Sequence, residues 1–162
     1  MSDHLTNNES SADSRAVILA AIPHRAPFLF VDEILTWTDE EIVCAYRFKE
    51  DEFFFAGHYP NSPIVPGVVL CESAMQAGAV YMTRFFSEAD GESGKVPVVG
   101  RMNDVKFRQL VRPGDRVEQR VSLKEKIAGV YMLRAKVTCE GKTVVTFDFA
   151  VTMTDQPSKD AV

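Results

Sequence analysis

The fold is decided by the stretch YMLRAKVTCEGKTVVTFDFAVTM, residues 131–153, in which apolar and polar side chains alternate on both sides of a short turn. In residues 131–139 and again in residues 145–153, most odd-numbered positions are apolar and most even-numbered positions are polar. A period of two residues is typical of β-strands with one covered face. Glu140-Gly141 suits a tight turn between them. The stretch therefore predicts an antiparallel hairpin.

The same alternation continues upstream and extends the hairpin into a meander. The preceding strand keeps the odd-numbered parity at Val117, Val121, Leu123 and Ile127. Ala128-Gly129 supplies the turn between this strand and the hairpin. Earlier in the chain, residues 42–48 also alternate, and residues 28–35 are the expected partner strand.

One long helix is predicted among these strands, over residues 66–88, beside a short helix over residues 14–22. Pro66 suits a first helical turn, where its missing N–H would have no partner. The long helix is apolar nearly all round, so we expect the sheet to enclose it. The order β-β-α-β-β-β-β predicts an α+β fold, a curved antiparallel sheet wrapped around one long buried helix.

Length and composition predict one domain over residues 14–153, flanked by polar tails at 1–13 and 154–162. The net charge of −5 argues against a nucleic-acid partner. Three widely spaced cysteines are typical of a reducing compartment. The polar N-terminus is unlike a signal peptide, and the apolar helix is interrupted by polar residues. We therefore expect a cytoplasmic protein with no membrane partner.

His58 is the first candidate for chemistry. It stands at the start of a loop stiffened by Pro60, Pro63 and Pro66. Imidazole titrates near neutrality, which makes His58 a candidate general base. The alternative interpretation is a surface-loop histidine without a role.

Glu72 is the second candidate, in the second turn of the predicted buried helix. A buried carboxyl group is costly unless it is paired or functional, and burial disfavours its ionised form, so Glu72 is a candidate proton donor. Gln76 lies one turn later on the same face and is placed to hydrogen-bond it. The alternative is a glutamate that faces solvent from a partly exposed helix.

The start of the long helix offers a third element, the free amides of Gly67 and Val68. They sit at the positive end of the helix dipole, and Gly67 permits close approach to the backbone. Such amides suit a carbonyl oxygen that becomes negative in a transition state. Every helix has such an end, so this element has little weight alone.

Three segments together resemble the 3-hydroxyacyl-ACP dehydratases of fatty-acid synthesis, which have a hot-dog fold. They are IPHRAPFLFVDEI (22–34), GHYPNSPIVPGVVLCESAMQ (57–76) and GRMNDVKFRQLVRPGD (100–115). The resemblance covers roughly residues 15–153, with the motifs in the family's order. It implies a hydro-lyase that converts 3-hydroxyacyl thioesters on acyl carrier protein to trans-2-enoyl thioesters, in fatty-acid or related lipid biosynthesis.

The resemblance also implies roles for the candidates. His58 and Glu72, fourteen residues apart, match the family's catalytic pair, and the dehydratase–isomerase branch has Asp where this chain has Glu72. His58 would take the α-proton and Glu72 would protonate the leaving hydroxyl. The Gly67 amide would hold the thioester oxygen, with Gln76 orienting Glu72. Elimination of water exchanges no electrons, so no cofactor is expected, and no residues have metal-ligand spacing.

Departures from the family pattern affect the acyl pocket more than catalysis. Tyr59 stands where Phe is commoner, and Val65, Cys71 and Ser73 also differ. The alternative functions are an acyl-CoA hydratase or thioesterase on the same fold, or a non-catalytic acyl-binding protein. Residues 53–55, three phenylalanines, are candidates for an acyl channel. His24 is interpreted as a packing or hydrogen-bonding residue.

Two kinds of protein partner are expected. The resemblance implies a homodimer with shared active sites, His58 of one copy facing Glu72 of the other, and further assembly as trimers of dimers. Residues 95–116 carry six basic and two acidic residues, a reversal of the overall charge that suits an acidic carrier protein. Lys106, Arg108 and Arg112 share one parity and are expected on one strand face. The alternative is that they simply face water.

Overall fold

The computed structural model describes residues 11–85 and 95–155. The elements are α1 (Ser11–Ala21), β1 (Glu33–Trp37), β2 (Glu41–Arg47), α2 (Gly67–Met82) with a 3-10 turn (Thr83–Phe85), β3 (Lys95–Phe107), β4 (Arg116–Ile127), β5 (Val130–Cys139) and β6 (Lys142–Asp155). The predicted α+β class and strand–helix order are confirmed, with α1 starting earlier than the predicted residue 14. The predicted tails lie mainly outside the described residues.

The six strands form one antiparallel sheet in the order β1-β2-β4-β5-β6-β3. Helix α2 packs against β2, β4 and β5 in the middle of the sheet. In register across β4, β5 and β6 lie Val121, Ala135 and Phe147, all buried. The odd-numbered parity thus sets the core face of the sheet, as the alternation predicts.

Helix α2 is mostly buried, as its apolar sequence predicts. A Cβ atom on Gly78 would lie 2.8 Å from the Phe149 ring, so glycine there allows helix and sheet to approach closely. The helix ends at Met82 and tightens into the 3-10 turn, so the prediction of a helix to residue 88 is wrong for residues 83–85. Its last residues, 86–88, lie outside the described part. Within residues 11–85 and 95–155, no helix has the length and apolarity needed to cross a membrane.

Strand β1 begins at Glu33, later than the predicted residue 28. The reason is that the N–H and C=O of Phe30 form hydrogen bonds with glutamine side chains instead of with a neighbouring strand. The Phe30 N–H donates to Gln76 Oε1 at 2.8 Å, and Gln119 Nε2 donates to Phe30 O at 3.3 Å. Residues 28–32 therefore form irregular backbone, in which only the Asp32 N–H bonds the neighbouring strand, donating to Ala45 O of β2 at 2.8 Å.

Near the end of strand β4, the odd-numbered residues no longer face the core. A register shift between Leu123 and Glu125 reverses the faces, and Ile127, expected in the core, is 55% exposed. The predicted turn follows directly, with positive φ at Ala128 (49°) and Gly129 (80°). Two positive φ values suit the tight turn of a two-residue hairpin.

Candidate active site

His58 is held by the backbone of the loop between β2 and α2. Its backbone N–H donates to Phe54 O at 3.0 Å, and its ring Nδ1 lies 3.0 Å from Ile64 O. A carbonyl oxygen only accepts hydrogen bonds, so Nδ1 carries the proton and Nε2 keeps its lone pair. The loop therefore holds His58 in a tautomer that can accept a proton at Nε2.

His58 borders a cleft of about 460 Å³ at the start of α2. The cleft, here called the His58 cleft, is lined by His58, Tyr59, Ile64, Val65, Pro66, Gly67, Val68, Leu70, Phe107, Gln109, Leu110 and Val111. Most of these side chains are apolar. Four predicted site residues, His58, Tyr59, Gly67 and Val68, thus share one apolar cleft, with Val68 74% exposed at its wall.

The first amides of α2 face no acceptor. Pro66 O accepts from Val69 N at 2.9 Å and from Leu70 N at 3.2 Å. Within residues 11–85 and 95–155, no group accepts a hydrogen bond from the N–H of Gly67 or Val68. These two N–H groups lie at the positive end of the helix dipole, beside His58, as the sequence predicts.

Gly67 has a packing role that the sequence does not reveal. A Cβ atom there would lie 2.8 Å from the Phe107 ring, which covers the start of α2 from the end of β3. The space on the Cβ side of Gly67 is therefore taken by Phe107, and Gly67 lets the ring close the wall of the His58 cleft. The expected close approach of a ligand to the Gly67 backbone stays a prediction.

Glu72 lies one helical turn beyond Val68, and its side chain is 23% exposed, less buried than expected. Gln76 Nε2 donates to Glu72 Oε1 at 2.9 Å, the hydrogen bond that the sequence predicts. The same amide also donates to Phe28 O at 3.2 Å and accepts from Phe30 N. Gln76 is fully buried, so it fixes the Glu72 carboxyl group against residues 28–30.

His24 also lies against Glu72. Its Nε2 is 3.6 Å from Glu72 Oε1, and its Nδ1 is buried without a hydrogen-bond partner in the described structure. We name His24, Glu72, Gln76 and the backbone of Phe28 and Phe30 the Glu72 cluster. The sequence analysis did not predict that His24 lies beside Glu72. The Pro-His-Arg motif singles out His24 but does not indicate its partner.

The His58 cleft and the Glu72 cluster are separate within one chain. Glu72, Gln76 and His24 are absent from the residues that line the His58 cleft. No hydrogen bond or ion pair joins His58 to Glu72 in the described residues. We call these two regions half-sites, because His58 and Glu72 make no direct contact in the described part of one copy.

The three basic residues do not share a strand face, contrary to prediction. Strand β3 ends at Phe107, which leaves only Lys106 on the strand. The Arg108 N–H donates to Val144 O at 2.7 Å, and the Arg112 N–H donates to Asp115 Oδ2 at 2.8 Å, both from the following loop. The intervening residues 109–111 line the His58 cleft, so the exposed Arg108 and Arg112 flank its edge.

Other reactive groups near the site are unsuited to chemistry. Burial raises the pKa of the Cys71 thiol to about 11, so it is not a ready nucleophile.

None of the three phenylalanines at 53–55 lines the His58 cleft. In the described part of the chain, no group of three His, Cys, Asp or Glu side chains could hold a metal ion.

Comparisons with known proteins show the family and the relatives of this chain. The family model of the FabA-like domain matches residues 22–148. The chain is 35% identical over 132 residues to a 3-hydroxyacyl-[acyl-carrier-protein] dehydratase FabZ of Oenococcus oeni, covering 81% of this chain and 92% of that protein. It is 34% identical over 146 residues to the FabZ of Desulfotalea psychrophila, covering 90% and 94%.

Solved structures with the same fold are more distant in sequence. The dehydratase heterocomplex ApeI:P from Xenorhabdus doucetiae has a TM-score of 0.69 at 17% identity, covering 88% of this chain and 91% of that chain. A hypothetical thioesterase with coenzyme A from Streptococcus pneumoniae has a TM-score of 0.58 at 14% identity, covering 92% and 100%. These likenesses show the hot-dog fold alone.

Proposed function

This chain belongs to the FabA-like family, with the FabZ 3-hydroxyacyl-ACP dehydratases as relatives, and we propose that it removes water from 3-hydroxyacyl-ACP to give trans-2-enoyl-ACP in fatty-acid or related lipid biosynthesis. The hydratase, thioesterase and acyl-binding alternatives are less favoured, because these relatives are dehydratases. The observation that carries the catalytic assignment is the His58 ring, fixed through Nδ1 beside two free helix amides.

The first proposed step is removal of the α-proton by His58. The substrate's Cα–H bond breaks, and the proton goes to Nε2, the nitrogen that the Ile64 contact leaves free. The imidazolium that forms keeps its Nδ1–H on the carbonyl oxygen of Ile64. A hydrogen bond to a carbonyl oxygen stabilises the cation as well as the neutral ring.

The electron pair from the Cα–H bond moves toward the thioester carbonyl, whose oxygen gains negative charge. The Gly67 N–H, together with the adjacent Val68 N–H, donates to that oxygen in the proposed scheme. Tyr59 and the apolar lining of the His58 cleft hold the acyl chain and exclude water, which strengthens these hydrogen bonds.

The second proposed step is departure of the hydroxyl group from Cβ. The Cβ–O bond breaks, the Cα=Cβ double bond forms, and Glu72 supplies the proton that makes the leaving group water. The hydrogen bond from Gln76 keeps the carboxyl group in place. His58 has then gained one proton and Glu72 has lost one, so proton exchange with solvent restores the enzyme.

Because the two groups lie in separate half-sites, we extend the proposal to a homodimer that brings His58 of one copy to Glu72 of the other. Strand β3 supports it, since it is the last strand of the sheet order and exposes one long edge. Apolar side chains near this edge are also exposed: Val98, Val99, Met102, Phe107 and Leu110. A second copy would cover them. Assembly of three dimers into a hexamer is the further form that family resemblance suggests.

We propose that the reaction takes place in the cytoplasm.

We also propose that the carrier protein docks beside the His58 cleft. Lys106, Arg108 and Arg112 form no ion pair among the described residues and remain exposed. They lie in the 95–116 window, which is positive in a chain of net charge −5. Such a local patch steers an acidic carrier toward the cleft.

The test is to incubate the protein with 3-hydroxyacyl-ACP and with the matching CoA ester, following the absorbance of the conjugated enoyl thioester. The proposal expects enoyl formation, faster from the ACP-linked substrate. Absence of enoyl product from both substrates, or release of free thiol instead, would overturn it in favour of a non-catalytic protein or a thioesterase.

A further inference from the structure

We infer that His24 is a positioning residue for Glu72, and that His24 and Gln76 together hold Oε1 so that Oε2 delivers the proton. The inference rests on the proposed function, because it concerns the acid of that reaction. In this scheme His24 does not contact the reacting atoms of the substrate. It acts through the Glu72 carboxyl group.

The loop that carries His24 is fastened at the end of α1. The Arg25 guanidinium donates to three backbone carbonyl oxygens: those of Leu19 (2.9 Å), Ile22 (2.7 Å) and His24 itself (2.7 Å). Three hydrogen bonds from one planar group fix the backbone on which the His24 ring is mounted. The ring is therefore presented to Glu72 by a rigid support.

The amide of Gln76 settles which oxygen of Glu72 accepts. The Phe30 N–H can only donate, so the atom 2.8 Å from it must be the amide oxygen of Gln76. The amide nitrogen of Gln76 therefore faces Phe28 O and Glu72 Oε1, both at donor distance. Oε1 thus accepts a hydrogen bond and is not the oxygen that carries the acid proton.

The His24 ring faces the same oxygen, and its surroundings favour one tautomer. Its Nε2 lies 3.6 Å from Glu72 Oε1, while Nδ1 is buried without a partner. A proton on Nδ1 would leave a buried donor unsatisfied and turn the Nε2 lone pair toward an acceptor. A proton on Nε2 instead points at Oε1. The His24 N–H then faces Oε1 at 3.6 Å, a polar contact longer than a hydrogen bond, while Gln76 donates to Oε1 at 2.9 Å. Oε2 is left to carry and deliver the proton.

The kinetic test compares His24→Leu with His24→Gln, whose amide nitrogen can replace the ring N–H. We expect His24→Leu to lower kcat about 10-fold with KM within about 2-fold, because it removes the polar N–H that faces Glu72 Oε1. His24→Gln should recover most of the lost kcat. Wild-type kcat in His24→Leu, or equal loss in both variants, would overturn the inference.

A second substrate separates positioning of the acid from general damage. A 3-chloroacyl thioester eliminates chloride, which leaves without protonation, so only removal of the α-proton is required. His24→Leu should leave this elimination within about 2-fold of wild type, whereas His58→Ala should lower it together with dehydration. An equal loss for His24→Leu on both substrates would mean that His24 supports the fold or the cleft.

Nitrogen-15 NMR of the histidine rings tests the geometry without depending on activity. His24 should show the Nε2–H tautomer and His58 the Nδ1–H tautomer, and Glu72→Gln should shift the Nε2 signal of His24. A His24 ring protonated at Nδ1 alone would contradict the inference. If the wild type does not dehydrate, the proposed function fails, while this measurement still decides the His24–Glu72 contact.

Discussion

The His58 cleft and the Glu72 cluster both lie along the first three turns of α2, yet they hold their reactive groups by different means. His58 is fixed by a backbone carbonyl six residues away, and it borders an apolar cleft. Glu72 is fixed by Gln76, which binds backbone groups 46 and 48 residues away. The proposed base, His58, depends on its own loop, while the proposed acid, Glu72, depends on long-range packing.

The two regions suit different steps of the proposed reaction. The His58 cleft offers a lone pair, free amides and an apolar wall, which suit formation of an enolate-like charge. The Glu72 cluster offers a polar, partly buried carboxyl group, which suits protonation of a leaving group. The proposed reaction requires both half-sites, and no hydrogen bond or ion pair joins His58 to Glu72 within the described part of one chain.

The largest expected effect comes from removing either reactive group. We expect His58→Ala and Glu72→Gln each to lower kcat for dehydration by at least about 100-fold, the low end of general acid–base contributions. Steady-state assays on 3-hydroxyacyl-ACP measure it, with thermal unfolding as the check that both variants fold. Near-normal turnover in either folded variant would remove that half-site from the mechanism.

A smaller effect should distinguish support of the acid from support of the fold. Gln76→Leu removes the hydrogen bond to the Glu72 carboxyl group, worth about 0.5–1.5 kcal/mol, and we expect kcat to fall about 10-fold. Gln119→Leu is the matched control, because Gln119 is equally buried and bonds Phe30 O but not Glu72.

Both glutamine variants should lower the free energy of unfolding by about 1–3 kcal/mol. Gln76→Leu leaves Phe30 N and Phe28 O without this partner, and Gln119→Leu does the same to Phe30 O. Only Gln76→Leu should also lower kcat. If the two variants lose the same kcat, the role assigned to Gln76 reduces to stability. Urea unfolding and steady-state assays on the same preparations make the comparison.

The same contrast explains what the sequence can predict. Strand alternation, the long helix and the placement of His58 depend on local patterns and are recoverable from the sequence. The approach of His24 to Glu72, the Phe107 ring over Gly67, and the late start of β1 depend on residues far apart in the chain. The bulge after Leu123 likewise changes the face of Ile127 without a local signal.

The weakest expected effect concerns carrier docking beside the His58 cleft. The double reversal Arg108→Glu with Arg112→Glu should raise KM for the ACP-linked substrate several-fold, more at low salt, because it weakens steering of an acidic partner. Turnover of a small soluble thioester should change little. Lys136→Glu with Lys142→Glu, the same charge change at the β5–β6 hairpin, is the control.

Equal losses on the ACP-linked and small substrates would assign Arg108 and Arg112 to the fold or the cleft instead. Loss in the hairpin control as large as in the double reversal would make the effect one of net charge. Either result would leave the two half-sites intact and remove only the docking surface.

The most direct test of the account is to mix the His58→Ala and Glu72→Gln proteins under conditions in which subunits exchange. If each site takes His58 from one copy and Glu72 from the other, a mixed dimer has one intact site and one site lacking both groups. With random exchange, half of the dimers are mixed, so the account predicts recovery to about one quarter of wild-type activity. Activity that stays at the level of the separate variants, while exchange is demonstrated by mass spectrometry, would contradict the shared site.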